Sequence, residues 1–194
     1  MVMLAFMWLA VFFCADGHTD AFYLRFASPR QSSLILGTSR AAQGINPSAM
    51  NSILQNNNIY NFSFSVAHSP YGPVYLESIK RKIKMNAKNG IFILTVDPWS
   101  ISCEYGNPED SLTFRERGLA LGKIKIVDMC PNIPYLIISY NQPYINLLLY
   151  KKDNAELLHE NGWLEINVPM DSISVAKRTR IKIEHYKKTV VLNM

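Results

Sequence analysis

An α/β domain built on a parallel sheet is the fold the sequence predicts, and three observations predict it. Apolar runs that read as strands alternate with helical patterns across residues 33–96. The connections between them are short, which makes consecutive strands parallel and their crossovers right-handed. The third run, IFILTV (91–96), is nearly continuous in apolar residues, as befits a strand covered by helices on both faces.

Each element has a local reason. Ser33–Thr38 is a short apolar run bounded by turn residues, and reads as the first strand. Asn46 is a good N-cap and Pro47 suits the first helical position. Met50, Ile53 and Leu54 then fall on one face of a helix that ends in the run Asn56-Asn57-Asn58. Ile59–Ser65 (IYNFSFS) alternates as a second strand. Pro73 opens a second helix with Leu76, Ile79 and Ile83 inward, and Lys80, Lys84 and Lys88 on its polar side. That helix ends at Asn89-Gly90, and Ile91–Val96 follows as the third strand. Beyond it the pattern loosens. Glu104–Asp110 is loop, and 133–152, broken by Pro143, reads as two short helices capping the sheet edge, with a strand at Leu136–Tyr140 as the alternative. HENGWLEIN (159–167) reads as a turn entering an extended segment. Ser174–Lys188 is helical in composition, and TVVLNM could begin a further strand. An open parallel sheet normally continues, so the domain is expected to be incomplete at its C-terminus.

Bulk properties narrow the function. With 194 residues and 48% hydrophobic content, the chain can form one sizeable core. The net charge of +5 comes partly from Lys80–Lys88 and Lys177–Lys188. No zinc-finger, RRM or helix-turn-helix signature accompanies it, so nucleic acid is not an expected partner. The basic helix face reads as solvated surface, with contact to anionic lipid as the alternative. Of three cysteines, Cys14 lies in the apolar N-terminus, which leaves Cys103 with Cys130 as one possible pair. No Cys/His spacing suggests a metal, and no cofactor is expected. The first fifteen residues, MVMLAFMWLAVFFCA, carry no charge. They fall short of the roughly 20 apolar residues of a spanning helix. A signal-anchor, an atypical signal peptide and a buried first helix all stand as readings. We favour a tether at the cell envelope, with 1–15 as signal or anchor, 16–32 as connector and 33–194 as the domain.

The chemistry concentrates at LILGTSRAAQGINPSAM (34–50). Ser39 follows the first strand, where open α/β sheets bind ligands. It is either a nucleophile or a polar residue satisfying a turn. A serine nucleophile needs a base and oxyanion donors, and a strand-to-helix turn can supply N–H groups for the second need. Gly37 permits close approach of a substrate, and Arg40 could hold a carboxylate or phosphate. These residues, with YNFSFSVAHSPYG and IFILTVDPWS, resemble the SGNH/GDSL hydrolase superfamily. The likeness is greatest to its envelope branch of D-alanyl transfer proteins and polysaccharide O-acyltransferases, and it covers about Ser33 to Ser100. It implies a flavodoxin-like three-layer α/β/α domain, Ser39 as nucleophile, and an acyl ester or glycan as substrate.

The departures are specific. Where the family has a glycine oxyanion donor, this chain has Val66-Ala67-His68, so the Ala67 N–H is the candidate. Where the family has asparagine, Asp97 stands. His68 either lies near Ser39 or caps the turn HSPYG, and Asp97 either orients a base or sugar hydroxyl or is a turn residue before Pro98. The family's Asp-x-x-His base pair has no counterpart, since Lys182 stands three residues before His185 and Glu156 before His159. Trp99, Tyr71 and Trp163 read as a sugar platform or as core. A serine esterase or acyltransferase and a non-catalytic envelope module binding a glycan or protein are therefore the two functional readings.

Overall fold

The structure is a computed structural model that describes residues 2–54, 58–102, 109–149 and 155–192. In chain order the helices are α1 (Val2–Phe13), α2 (Tyr23–Ala27), α3 (Ser39–Gly44), α4 (Pro47–Leu54) and α5 (Pro73–Lys82), then α6 (Ala120–Lys123), α7 (Ile133–Ile138), α8 (Ile145–Leu148) and α9 (Ser172–Leu192). The strands are β1 (Ser33–Leu36), β2 (Ile59–Asn61), β3 (Phe92–Leu94), β4 (Glu156–Leu158) and β5 (Leu164–Ile166). The fold is mixed α/β, compatible with a flavodoxin-like arrangement. β1 is the central strand of a parallel sheet ordered β2-β1-β3, with Ile35 opposite Asn61 on one side and Ile93 on the other. β4 and β5 form a separate antiparallel hairpin.

The pleat of β1 divides the interior. Leu34 and Leu36 join an aromatic core with Tyr23, Phe26, Phe62, Phe64, Tyr75 and Tyr135, whereas Ile35 packs with Ala41, Ile59 and the half-buried Met50. The alternation in NFSFS is real, but both faces are buried. Phe62 and Phe64 point their rings into the aromatic core at 5.0 Å centroid separation, while Asn61 and Ser63 hydrogen-bond to backbone.

Several elements differ from the sequence reading. Segment 16–32, expected as a connector, carries α2, whose Tyr23, Arg25, Phe26 and Ala27 are buried. α4 begins as expected, with the Ser48 amide donating to Asn46 Oδ1, but Ile53 and Leu54 are exposed. α5 stops at Lys82 rather than at Asn89-Gly90, and its inward face is Tyr75, Ser78, Ile79 and Lys82, with Leu76 exposed. The third strand lies at the sheet edge. Its Phe92 and Leu94, and the following Val96, are exposed rather than covered. Residues 133–149 form the two short helices expected there, and Leu136 is helical rather than extended. Thr189–Leu192 continues α9 instead of starting a strand. Cys130 carries a free exposed thiol, and Cys103 lies outside the described residues. α1 packs back on the domain, its Trp8 and Phe12 rings meeting Tyr144 at 5.4 and 5.6 Å. Among the described residues no helix is long and apolar enough to cross a membrane.

Two buried cations tie separate segments of the chain together. Arg25, fully buried, is treated with the site it supports. Lys82, also fully buried, donates from Nζ to the carbonyls of Ser28 and Val127 and to the Ser28 hydroxyl, between the rings of Tyr60 and Phe62. Burial pushes its pKa down to about 7, with Asp128 pulling the other way. The unfolded chain, with the ordinary value of 10.5, therefore binds more protons than the fold between these two values. Stability is lowest below the folded pKa and rises as pH climbs through this window, by at most about 1.4 kcal/mol per pH unit. The urea midpoint is expected to increase from about pH 7 to about pH 9, and Lys82→Met, which keeps the aliphatic stem, is expected to remove that slope.

Candidate functional site

The turn after β1 is held from three directions. The Gly37 amide donates to the Tyr75 hydroxyl at 3.2 Å, and its carbonyl accepts from the Ser69 hydroxyl at 2.7 Å and the Phe64 amide at 3.2 Å. Gly37 has φ +153°, and a Cβ there would collide with Thr95 Oγ1. Packing against β3's continuation therefore requires the glycine. Thr38 is extended, and its carbonyl accepts from the amides of Ala41 and Ala42, which starts α3 directly at Ser39. The sequence reading placed the first helix later, at Pro47.

Ser39 is consequently the first residue of a six-residue helix at the C-terminal end of the central strand. It is half-buried, and among the described residues its hydroxyl has no hydrogen-bond partner. The amides of Ser39 and Arg40 lie in the first turn, where no intrahelical carbonyl can reach them.

Asp97 organises the turn. One carboxylate oxygen accepts from the amides of Trp99 and Ser100, both at 3.0 Å, and caps the short 3₁₀ turn Pro98–Ser100. The other accepts from Thr38 Oγ1 at 3.2 Å and from Arg40 Nη1 at 3.0 Å. Desolvation opposes ionisation, but the Ser100 amide, the Thr38 hydroxyl and the Arg40 guanidinium outweigh it and hold the carboxyl below its usual range. Both readings of Asp97 were local, the turn residue and the orienting carboxylate. The bonds made are those of a turn cap that also clamps the residues flanking Ser39. Arg40 remains largely exposed, so its outer donors face solvent.

His68 is engaged elsewhere. Its Nδ1 lies 2.8 Å from the Ser65 hydroxyl, and its ring meets Phe22 at a tilt, with centroids 4.6 Å apart. Burial, helped by the Arg115 charge, pushes its pKa down to about 4, so the ring is neutral at physiological pH. Its neighbour Ala67 is half-buried in the same loop, whose Ser69 holds Gly37. His159 pairs with Glu165 at 2.8 Å and stacks on Trp163. No hydrogen bond joins a histidine to Ser39 among the described residues. The three aromatics weighed as a sugar platform do different things. Trp99 is exposed, Tyr71 donates to the Leu36 and Thr95 carbonyls, and the Trp163 indole donates to the Gln43 carbonyl.

Support for α3 comes from residues the sequence reading left unassigned. Asn61 Nδ2 donates to the carbonyls of Ala41 and Ile45 at 2.8 and 2.9 Å, tying β2 to the helix. The β4–β5 hairpin packs Leu158 and Leu164 against Ala42. Arg25 fastens that hairpin. It donates to the carbonyls of Ala21, Asn61 and Gly162 at 2.6, 3.2 and 2.7 Å, with its guanidinium over the Phe64 ring. Burial lowers its pKa to about 10, which leaves it charged. The signal available for Asn61 was an amide side chain alternating with Tyr60 and Phe62 in a short strand. For Arg25 no local signal existed, because an arginine in a polar stretch reads as surface.

No family model matches the chain, and it matches neither a curated protein nor a solved structure. The likeness to the SGNH superfamily rests on the quoted motifs alone. No group of three or more metal-ligating side chains is present among the described residues.

Proposed function

We propose that the chain is a serine ester-handling module of SGNH type, acting at the cell envelope on an acyl ester of a polysaccharide or related acceptor. The observation that carries this reading is the position of Ser39. It heads a helix at the C-terminal tip of the central strand, with an unbonded hydroxyl and a clamped turn behind it. In the proposed reaction Ser39 Oγ attacks the ester carbonyl carbon, the alcohol leaves with the proton, and an acyl-serine forms. Water then releases the acid, or an acceptor hydroxyl takes the acyl group. The first-turn amides of Ser39 and Arg40, with that of Ala67, are the candidate oxyanion donors. Arg40 offers its solvent-facing donors to an anionic group on the substrate. The apolar side chains of Met7, Trp8 and Phe13, exposed on α1, support a seat at a membrane surface.

A second reading has its own observation. With His68 bonded to Ser65 and His159 to Glu165, Ser39 has no imidazole partner among the described residues. This favours a module that binds its ligand without turning it over. Hydrolysis of p-nitrophenyl acetate separates the two. The catalytic reading expects turnover that Ser39→Ala abolishes and Ser65→Ala retains. Turnover equal in wild type and Ser39→Ala would remove Ser39 from the chemistry and leave the binding reading.

A further inference from the structure

The last helix stands apart from the rest of the molecule. α9 is 21 residues long, and no side chain described on it is buried. Among the described residues, no hydrogen bond, ion pair or ring contact links it to another helix or strand. Its bonds stay local. The Ser174 amide donates to the Asp171 carboxylate at 2.9 Å, and Arg178 Nη2 meets Met170 Sδ at 3.6 Å. A helix in a folded protein draws most of its stability from packing one face, and α9 has no such packing.

Charge shows what kind of surface suits it. The chain's 20 lysines and arginines exceed its 15 aspartates and glutamates by five. α9 holds six of the basic residues, Lys177, Arg178, Arg180, Lys182, Lys187 and Lys188, and a single acidic one, Glu184. Fourteen of each sign are left elsewhere, so α9 carries the whole net charge of +5.

The helical period orders these charges. Val175, Thr179, Ile183 and Tyr186, spaced four, four and three apart, form one stripe, and all are exposed. Lys182 and Arg178 border the stripe on one side, Arg180 and Lys187 border it on the other, and Glu184 lies on the far side. Ile173 and Ile181 fall outside it. Uncovered apolar side chains flanked by cations match a bilayer surface. There the stripe enters the acyl boundary, and the long basic side chains reach back to anionic headgroups. Other occupants fit less well. Nucleic acid would use the cations and leave Val175 and Ile183 without apolar contact. A second copy would set another five positive charges against these. A protein groove holds a helix by bulky anchors, and this stripe offers one large ring.

We infer that α9 lies along the surface of an anionic phospholipid bilayer, with Val175, Ile183 and Tyr186 inserted and Lys182 and Lys187 at the headgroups. The inference does not depend on the reactivity of Ser39, and it is separate from the apolar seat proposed for α1.

The test is sedimentation of the full chain with vesicles of phosphatidylcholine, alone or with about 30% phosphatidylserine. Binding is expected to be at least about tenfold tighter on the anionic vesicles, and to fall as salt rises from about 0.1 to about 0.5 M. Lys182→Glu with Lys187→Glu, and Ile183→Asp alone, are each expected to weaken it at least about fivefold. Both are expected to leave thermal unfolding unchanged, because α9 packs on no other element. Lys80→Glu with Lys84→Glu, in and just after α5, is expected to bind as wild type, and so is Ser39→Ala. The inference would be overturned by equal binding to both kinds of vesicle, by binding that either α9 variant leaves unchanged, or by an equal loss in the Lys80 and Lys84 variant. Release from the vesicles by duplex DNA or polyglutamate at matched anionic charge would also overturn it. Neutral vesicles bound equally by wild type and Ile183→Asp, with no gain from phosphatidylserine, would leave α1 as the membrane contact and remove α9.

Discussion

Gly37→Ala is expected to destabilise the fold by about 3 kcal/mol or more, the sum of backbone strain and overpacking. At φ +153° an L side chain is strained, and its Cβ would meet Thr95 Oγ1 and lie 3.0 Å from the Ala41 Cβ. The turn cannot shift to relieve this. Gly37 is bonded through both its amide and its carbonyl, and Thr38 beyond it is bonded to Asp97. Urea denaturation measures the loss, and Gly44→Ala supplies the control. A Cβ at Gly44 meets nothing within 4 Å, so that change is expected to alter stability by no more than about 0.5 kcal/mol. Thr95→Ala in the Gly37→Ala background is expected to restore part of the loss, because it removes the oxygen that the new methyl strikes. Simple additivity of the two changes would contradict the proposed clash.

Arg25→Met is expected to cost about 3–5 kcal/mol. Methionine can replace the stem over Phe64, but it leaves the carbonyls of Ala21, Asn61 and Gly162 without their donor in a dry interior. Lysine cannot rescue it fully, since one ammonium does not reproduce a fork aimed at three acceptors. The damage is expected to be local first. Asn61 donates its amide to the Asn161 carbonyl, and Leu158 donates to Gly17, so the β4–β5 hairpin hangs on the same corner. Hydrogen exchange should therefore show amides 156–166 losing protection before those of β1. Uniform loss across the chain, or a stability change below about 1 kcal/mol, would show that Arg25 does not fasten the hairpin.

The parts of the fold legible in the sequence were those fixed by local chemistry. The aliphatic run before Gly37, and Pro47 and Pro73 at helix starts, depend on few neighbours, and each marks an element in the structure. The misreadings arose where tertiary packing outweighs pattern. Leu76 reads inward, yet α5 is turned so that Tyr75, Ile79 and Lys82 face the core, spaced four and then three residues apart. A lysine tolerates this because its stem is apolar and its ammonium meets three oxygens. Phe92, Leu94 and Val96 read as a covered strand, but on an edge strand only one face is packed, and Ile93 takes it. At the site, Ser39, Arg40 and Asp97 were found by their positions beside strand ends. Tyr75 in α5 and Ser69 in the loop before it hold Gly37, and neither has a local signal for that role, so only the folded chain brings them together.

In the function proposed, the hydroxyl of Ser39 is the reactive group of this turn. Its most direct measurement is covalent labelling of the full chain with a fluorophosphonate, read by peptide mass spectrometry. One phosphonylated residue, Ser39, is expected, with the label absent in Ser39→Ala and slowed in Asp97→Ala, where the clamp on Thr38 and Arg40 is gone. Label on another residue, or none under conditions where the chain is folded, would contradict it.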